Sequence, residues 1–315
     1  MKAITQRVYG APADVLTFGE VPTPVAKPGQ VLIRVRAAGV DAGVWHAVRG
    51  EAYIARLYFG LPRPRQRVPG RDIAGTVEAV GEGVTRFAVG DAVWAEHDGA
   101  YAEYVAVPQQ WVEPKPAGAT FEQAAALSVS GKTALQAMRD AAQVGAGTRI
   151  LINGASSGVG VYAVQVAKAF GAEVTGVCSG RNAALVRSLG ADHVVDYTVE
   201  DFTTKKYDVI FDLIGNRSIV ECRRALVPEG RLVLAFGGGG RWFGPVGKLL
   251  GAVATGRAKP FTAARKREDF VALRRMVEDG TLTPVIDRTF ALPEAAAAIA
   301  YVESGRARGK VVLTN

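Results

Sequence analysis

Cysteine is scarce in this chain, and long apolar runs are missing. The two cysteines, Cys178 and Cys222, show no spacing typical of a disulfide framework. We therefore expect a reducing compartment and predict a cytoplasmic protein. The apolar runs fall well short of the roughly 20 residues that a membrane-spanning helix needs, and MKAITQRVYG at the N-terminus lacks the apolar region of a signal peptide. The sequence thus predicts a protein that is soluble or at most peripheral to a membrane.

Histidine is also rare, so the chain offers few residues of the type that bind transition metals. His46, His97 and His193 lie far apart and lack ligand spacing. Because zinc in proteins is held mainly by thiolate and neutral imidazole, the pattern predicts no metal site.

Positive charge, by contrast, is in excess. The formal net charge of +8 favours anionic partners, whether phosphate groups, nucleic acid or an acidic membrane surface, without choosing among them. Hydrophobic residues make up 49% and charged residues 22%, which is ordinary for a globular protein. A length of 315 residues is long for one hydrophobic core and sufficient for two.

The first part of the chain has the pattern of a β-rich domain. Residues 1–115 contain short alternating or β-branched runs separated by turn residues: QVLIRVRAAGV, IAGTVEAVG, DAVWAE and YAEYVAVP. The character changes at Thr120, which forms a capping-box signature with Gln123 before an Ala-rich helix.

From residue 149 onward, strands and helices alternate. The predicted strands are RILING, EVTGVC, HVVDY, YDVIFDLIG and RLVLAFGG, and helices are predicted at 158–170, AALVRSLG and IVECRRAL. Parallel strands joined by helical crossovers predict an α/β doubly wound sheet. A last helix, REDFVALRRMVEDG, precedes a predicted strand, GKVVLT.

The stretch INGASSGVG at 152–160 lies between a predicted strand and a predicted helix, where free backbone N–H groups can bind a phosphate. Ala155, Ser157 and Gly160 hold the three positions of the dinucleotide-binding glycine motif, and Gly158 adds room. A plain turn is the alternative, but the surrounding βαβ units favour nucleotide binding.

The end of the next strand predicts which nucleotide is bound. A carboxylate about 20 residues after the loop would bind the ribose 2′-hydroxyl of NAD, but the sequence there is VCSGRN. Arg181 and Ser179 can bind a 2′-phosphate instead. NADP(H) is therefore the predicted cofactor, with a merely solvated Arg181 as the alternative.

Residues 241–267 are strongly basic and contain no acidic residue. Val246, Leu249, Leu250 and Val253 fall on one face of a helix. We expect a surface helix that packs on the body of the protein or on a second subunit. An interfacial membrane helix or a lid over an anionic ligand is the alternative.

At this point the chain resembles the medium-chain dehydrogenase/reductase superfamily, most closely its zinc-independent quinone oxidoreductase and NAD(P)-dependent alcohol dehydrogenase-like branch. The resemblance is carried by GVDAGVWHAVRG, VPGRDIAGTVEAVG, RFAVGDAVW, GAYAEYVAVP, LINGASSGVG, VTGVCSGRN, LGADHVVDY and RGKVVLT. It implies a GroES-like β-rich catalytic domain at 1–121 and 266–315, with a Rossmann NADP-binding domain inserted at 122–265. Family analogy also implies a homodimer.

The resemblance locates the positions at which zinc-dependent members hold their metal. Asp41 stands at the first position and Arg71 at the second, and SVSGKT around the third contains neither Cys nor His. Because an arginine would repel a cation, we predict that there is no catalytic zinc.

The resemblance also implies cofactor contacts beyond the loop. Thr133 matches a threonine near the nicotinamide, Tyr197 a tyrosine near the 2′-phosphate, and Gly215 and the FGG at 236–238 follow later strands of the Rossmann domain. Structural roles for Tyr197 and the glycines are the alternative. The complete predicted set is Thr133, Ala155, Ser156, Ser157, Gly158, Val159, Gly160, Ser179, Arg181, Tyr197, Gly215, Phe236, Gly237 and Gly238.

Candidates for polarising or protonating a substrate lie near the vacated zinc position. They are His46, Tyr53 and Tyr58, together with Asp41 and Arg71. A histidine titrates near neutrality, although a packed, hydrogen-bonded His46 is the alternative. Arg71 could support an oxyanion or form an ion pair, and we expect the ion pair to be with Asp41 rather than Asp72.

Without zinc as a Lewis acid, quinones and α,β-unsaturated carbonyls lose the least reactivity towards hydride, because they are intrinsically electrophilic. The sequence therefore predicts an NADPH-dependent reductase of these compounds. Reduction of aldehydes or ketones, or a non-catalytic NADPH-binding or RNA-binding role, is the alternative. LPRPRQRVPGR is rich in arginine, but no RNA-binding motif accompanies it, so we predict a solvated loop there and no nucleic-acid partner.

Overall fold

The computed structural model describes residues 1–51, 53–235 and 258–315. Two compact units emerge from the contacts within the chain. The first comprises Met1–Ser130, Arg265–Gly280 and Pro284–Asn315, and the second comprises Gly131–Ala264 and Thr281–Thr283. In the described part of the chain, no helix is both long and apolar enough to cross a bilayer.

The first unit is built mainly of β-strands. Its strands are β1 (Lys2–Gln6), β2 (Leu16–Glu20), β3 (Gln30–Val40), β4 (Asp72–Val80), β5 (Ala92–Glu96), β6 (Tyr104–Pro108), β7 (Val112–Pro114), β14 (Ile286–Ala291) and β15 (Lys310–Thr314). Its helices are α1 (Pro12–Val15), α2 (Ala42–Arg49), α3 (Arg56–Phe59), α4 (Phe121–Gln136, to Ser130), α8 (Arg267–Glu278) and α9 (Ala295–Glu303).

Seven of these strands form one sheet in the order β14-β15-β3-β4-β5-β7, with β6 also paired to β3, while β1 and β2 pair separately. All pairs in the larger sheet are antiparallel except β14 with β15. The alternating residues of β3 explain its central place, because Val31, Ile33 and Val35 are buried together in the core of the unit. The four β-rich runs predicted from the sequence are confirmed as β3 to β6.

The second unit is an α/β sheet. Its strands are β8 (Arg149–Asn153), β9 (Glu173–Cys178), β10 (His193–Asp196), β11 (Tyr207–Asp212), β12 (Leu226–Leu234) and β13 (Ala258–Pro260). Its helices are the end of α4, a wide turn at Ala137–Ala142 that continues it, α5 (Gly160–Ala169), α6 (Ala183–Ser188) and α7 (Ile219–Arg224).

All strand pairs of this sheet are parallel, in the order β10-β9-β8-β11-β12-β13. Counted within the unit, that order is 3-2-1-4-5-6, which defines the doubly wound dinucleotide-binding fold. The order reverses between β8 and β11, so the crevice that binds ligands in such sheets lies at the carboxyl ends of these two strands.

The unit boundaries have local causes. The first unit includes residues 122–130, which were predicted to begin the Rossmann domain. There the Val129 amide donates to Asp72 and the Ser128 hydroxyl to the Ala95 carbonyl. Conversely, Thr281–Thr283 belong to the second unit, because the Gln165 side chain both donates to and accepts from Thr283.

The capping box predicted at the start of α4 is present. The Gln123 amide donates to the Thr120 hydroxyl at 3.2 Å, and the Thr120 amide donates to the Gln123 side chain at 2.9 Å. Two backbone donors at the helix start are thereby satisfied. The helix predicted at REDFVALRRMVEDG and the strand predicted at GKVVLT are likewise confirmed as α8 and β15.

Candidate functional site

The glycine-containing loop between β8 and α5 presents unused backbone donors. The amides of Gly154 and Ala155 both donate to the Val177 carbonyl on β9, which fixes the start of the loop. The amides of Ser156, Gly158 and Val159 donate to no acceptor in the described part of the chain. Three free N–H groups beside a helix N-terminus form the kind of cradle that binds a phosphate.

Close packing explains which loop positions must stay small. A Cβ on Gly160 would lie 2.1 Å from the Gly154 carbonyl oxygen, and Gly154 itself has φ of +91°. A Cβ on Gly176 of β9 would lie 3.0 Å from the Ala155 methyl group and 2.5 Å from Val186. Gly160 therefore lets α5 begin directly against the loop, which is the role of the last glycine in a dinucleotide-binding motif.

The loop is also tied to the segment that follows β9. Asn182, at the end of a short turn, donates from its side chain to the buried Ser156 hydroxyl at 2.9 Å, and its amide donates to the Ser179 carbonyl. Arg181 lies in the same turn and is exposed, and it has no ion pair with any described residue. Ser179 is half-buried beside it. The two residues predicted to bind a 2′-phosphate therefore lie on a turn fixed to the phosphate loop.

One carboxylate near this turn was missed from the sequence. A Cβ on Gly180 would lie 2.4 Å from Asp196 Oδ2, so β10 brings Asp196 beside the turn. The amide and hydroxyl of Thr198 donate to Asp196 Oδ1 at 3.0 and 2.7 Å. These hydrogen bonds hold the pKa of Asp196 below its usual value, and the bond from the Thr198 amide has the larger effect. The Asp196 carboxylate is thus hydrogen-bonded within its own turn. Its position beside β9 follows from the pairing of β10 with β9, which the sequence alone does not show.

Polar residues also meet where the strand order reverses. Asn153 ends β8 and is in register with Asp212, which ends β11. The Asn153 side chain donates to Asp212 Oδ1 at 2.8 Å and to Asn216 Oδ1 at 2.8 Å. Asp212 Oδ1 also accepts from the amides of Ile214 and Gly215. This network shapes the loop after β11 around Gly215, whose φ of +72° needs glycine.

The remaining predicted cofactor residues are dispersed. Thr133 is half-buried in α4, and Tyr197 is half-exposed directly after β10. Phe236, Gly237 and Gly238 lie outside the described residues, as do positions 241–257 of the predicted basic amphipathic helix.

In the first unit, Asp41 begins helix α2. Its Oδ1 accepts from the Val44 amide at 3.2 Å, which makes Asp41 the N-cap of that helix. Its Oδ2 is buried and has no hydrogen-bond partner in the described part of the chain. Helix capping explains why an aspartate is suited to this position.

Arg71 pairs with two other acids, which corrects the expected pair with Asp41. Its guanidinium lies 3.0 Å from the buried Glu96 and 3.4 Å from Asp98. Burial alone would lower the pKa of Arg71, but the charge of Glu96, with smaller contributions from Asp98 and Asp41, raises it. Glu96 ends β5, whose neighbour β4 begins directly after Arg71, and this pairing brings the two together.

His46 lies on α2 and stacks on Trp45, with ring centroids 3.5 Å apart. Its Nδ1 lies 3.3 Å from the Glu51 carbonyl, and its Nε2 is buried without a partner in the described residues. Burial lowers the pKa of His46, which favours its neutral form. Because a carbonyl only accepts, the proton sits on Nδ1 and Nε2 is an acceptor. This is the packed, hydrogen-bonded arrangement given above as the alternative, and a catalytic use of His46 stays a prediction.

Tyr53 opens a short turn that precedes α3. The Arg56 guanidinium lies over its ring at 4.5 Å and over the Tyr9 ring at 4.6 Å, and it donates to the Gly50 carbonyl. Tyr53 is half-buried, whereas Tyr58 at the end of α3 is exposed. Arg56 thus fixes the turn that carries Tyr53, a role that the sequence did not reveal.

The first unit also contains a buried ion pair, one member of which, Asp72, directly follows Arg71. Lys310 Nζ lies 3.1 Å from Asp72 Oδ2 and donates to the Ser130 hydroxyl at 3.0 Å, and all three side chains are almost fully buried. A Cβ on Gly39 would lie 2.5 Å from Asp72 Oδ2, so glycine is needed there. Burial raises the pKa of Asp72 to about 6, although the charge of Lys310 lowers it. This pair could not be predicted from the sequence, since its members are 238 positions apart.

Among the described residues, no group of three His, Cys, Asp or Glu side chains has the arrangement of a metal site. At the positions where the resemblance places zinc ligands, Asp41 is a helix N-cap and Arg71 is ion-paired.

Comparison with known proteins matches both units. The family model described as "Alcohol dehydrogenase GroES-like domain" matches residues 27–117, and that described as "Zinc-binding dehydrogenase" matches residues 189–313. The chain is 32% identical to the chloroplast envelope quinone oxidoreductase homolog of Arabidopsis thaliana, over 99% of this chain and 98% of that protein.

Two further matches extend the comparison. The chain is 33% identical to the NADPH-dependent alkenal/one oxidoreductase of Arabidopsis thaliana, over 99% of this chain and 79% of that protein. The solved structure of the quinone oxidoreductase from Coxiella burnetii superposes with a TM-score of 0.88 at 31% identity, covering 100% of this chain and 99% of that one. With the doubly wound sheet and the β-rich unit described above, these matches show that the chain belongs to the medium-chain dehydrogenase/reductase superfamily, in its quinone oxidoreductase-like branch.

Proposed function

We propose that this chain is an oxidoreductase that uses NADPH, without zinc, to reduce quinones and α,β-unsaturated carbonyl compounds. The observation that carries the proposal is the pair of residues at the zinc-ligand positions, since Asp41 caps a helix and Arg71 is bound to Glu96 and Asp98. A guanidinium at a ligand position disfavours a bound cation. The relatives named as quinone and alkenal/one oxidoreductases support the same substrate classes.

The residues of the second unit fit a dinucleotide. Free amides at Ser156, Gly158 and Val159 would hold the pyrophosphate, and Gly160 leaves the space that this needs. When bound, the reduced nicotinamide supplies the hydride for the acceptor.

A preference for NADPH over NADH rests on the turn after β9. Arg181 is exposed, without an ion pair in the described residues, and it lies with Ser179 on a turn fixed to the phosphate loop by Asn182. The carboxylate of Asp196 is engaged by Thr198. An unpaired arginine at this position is suited to a 2′-phosphate.

The test of this preference compares Arg181→Ala with Arg187→Ala, a control at another exposed arginine in the next helix. Loss of Arg181 should cost about 1.5–3 kcal/mol of NADPH binding, the range for hydrogen bonds to charged groups. NADH binding and the control should be unchanged, as measured by calorimetric titration. Equal losses for both cofactors would contradict the assignment.

Among the predicted catalytic residues, we assign the polarising contact to Tyr53. Burial favours the neutral form of His46, whose Nδ1 faces the Glu51 carbonyl, and the charge of Arg71 is offset by two carboxylates. Tyr53 carries a hydroxyl group on a turn fixed by Arg56. Replacing Tyr53 with Phe should lower kcat about fivefold, because one hydrogen bond is worth roughly 1 kcal/mol. An unchanged kcat would reject the assignment.

The substrate class is tested by following NADPH oxidation with 1,4-benzoquinone, 9,10-phenanthrenequinone, 2-alkenals and saturated aldehydes. Turnover of quinones or 2-alkenals, unaffected by chelators, is the expected result. Turnover of saturated aldehydes alone would favour the alternative alcohol dehydrogenase-type reaction, and one zinc per chain by metal analysis would overturn zinc independence. We retain the cytoplasmic location and the homodimer as further proposals, which fractionation and sedimentation would check.

A further inference from the structure

Residues 53–67 form a largely exposed element, of which the proposed reaction uses only Tyr53. No acidic residue occurs between Glu51 and Asp72, while five arginines do: Arg56, Arg63, Arg65, Arg67 and Arg71. Two of the five have structural partners, since Arg56 packs on Tyr9 and Tyr53 and Arg71 pairs with Glu96 and Asp98. The other three are exposed and make no ion pair with any described residue.

Large apolar side chains are exposed in the same element. Leu57 is 69% exposed, Tyr58 71% and Leu61 62%, and Ile54 is exposed to a lesser degree. Single exposed apolar residues are common, but several within a few positions of one another mark a binding surface. These exposed side chains therefore indicate a binding partner that has an apolar region.

The element has a defined fold of its own. The Arg65 amide donates to the Phe59 carbonyl at 2.8 Å, which closes the chain on itself and brings the arginines back beside α3. The Gly60 amide donates to the Arg56 carbonyl, and the Gly60 carbonyl accepts from the Tyr9 hydroxyl at 2.8 Å. The exposed leucines and arginines are thus presented by one compact loop rather than by a free tail.

We propose that residues 53–67 dock the protein on an anionic lipid surface. Leu57, Tyr58 and Leu61 would enter the interface while Arg63, Arg65 and Arg67 pair with lipid phosphates. Apolar side chains next to unpaired arginines are the combination that binds at membrane interfaces, and an arginine near such a surface contributes about 1 kcal/mol. The net charge of +8 acts in the same direction. The proposal does not depend on the identity of the substrate.

Flotation of the full-length protein with vesicles tests it. Wild-type protein should bind vesicles of phosphatidylcholine mixed with phosphatidylglycerol, but not phosphatidylcholine alone. Raising the salt from about 0.1 M to 1 M should release it, because the Debye length falls from about 10 Å to about 3 Å. Binding that ignores both lipid charge and salt would overturn the proposal.

Two variants with matched controls locate the surface. R63Q/R65Q/R67Q should lower the partition coefficient on the order of 100-fold, whereas R187Q/R224Q/R306Q, which removes the same charge from exposed arginines elsewhere, should have a much smaller effect. L57Q/L61Q should lower it about tenfold or more, and V25Q/V199Q, at exposed valines elsewhere, should not. Circular dichroism confirms that each variant is folded.

The outcomes separate lipid from other anionic partners. Unchanged vesicle binding by R63Q/R65Q/R67Q would show that residues 53–67 are not the lipid-binding surface. Absence of vesicle binding by the wild type, with arginine-dependent binding of single-stranded RNA in a filter assay, would replace the lipid surface by a nucleic acid.

Discussion

Removing the buried lysine of the first unit should destabilise that unit by a predictable amount. Lys310→Met keeps the length of the side chain and leaves Asp72 in place, 0% exposed and without its counter-charge. The carboxylate can respond only by taking up a proton, since it cannot reach water.

The magnitude follows from the protonation equilibrium. Keeping a carboxyl with an ordinary pKa of 3.8 neutral at pH 7.5 costs about 5 kcal/mol at 1.36 kcal/mol per pH unit. With Lys310 present, a pKa of about 6 means that burial of the ionised group already costs about 3 kcal/mol. The substitution therefore adds about 2 kcal/mol, and losing the hydrogen bonds of Lys310 adds about 1 kcal/mol more. The total of about 3 kcal/mol agrees with measured costs of breaking buried pairs.

Urea unfolding at pH 7.5, followed by tryptophan fluorescence, measures this loss. Three of the four tryptophans, Trp45, Trp94 and Trp111, belong to the first unit, so the signal reports mainly on that unit. The double variant D72N/K310M removes both charges and retains an oxygen for the Val129 amide, and it should recover to within about 1 kcal/mol of wild type.

Two results would refute the reasoning. One is a K310M protein as stable as wild type at pH 7.5. The other is a double variant whose loss equals the sum of the single losses, because independent sites add whereas a charge pair does not.

Three further predictions follow. Gly160→Ala places a methyl group against a loop carbonyl and should cost about 1–3 kcal/mol and weaken NADPH binding at least tenfold, whereas Gly145→Ala, with nothing within 4 Å, should do neither; calorimetric titration distinguishes them. The pKa of Asp72 is higher in the folded state than in the unfolded state, so the folded protein takes up a proton as the pH falls towards 5. Between pH 7.5 and 5, the free energy of unfolding of the wild type should therefore rise by about 1 kcal/mol relative to that of D72N. A difference in free energy of unfolding between the two proteins that stays constant with pH would contradict this. Burial raises the pKa of Cys178 and of Cys222, the latter to about 12, so both thiols should react with a disulfide reagent only after unfolding, and rapid labelling of the native protein would disprove it.

Local pattern was enough to predict most elements and their order. The capping box at Thr120 and Gln123, the strand–loop–helix around Gly160 and the alternation of strands and helices all depend on residues near one another in sequence. The parallel sheet followed because such alternation leaves few other arrangements.

Pairings between distant residues could not be predicted. The ion pair that Arg71 forms with Glu96 depends on the register of two strands, and the expected pair with Asp41 was wrong for that reason. Similarly, the protonated nitrogen of His46 is set by a carbonyl oxygen five residues away, which composition cannot reveal. Such contacts become visible only when the backbone is placed.

The position of β15 has a consequence for how the protein is made. It lies between β14 and β3 in the interior of the larger sheet, and Asn315, just after it, donates to the Val35 carbonyl 280 positions earlier. During synthesis, this sheet cannot close until its last strand has left the ribosome, by which time the whole parallel-sheet unit is already available to fold. The nascent chain must therefore carry an incomplete β-rich unit, in which the edge of β3 that will pair with β15 stays open, through most of translation.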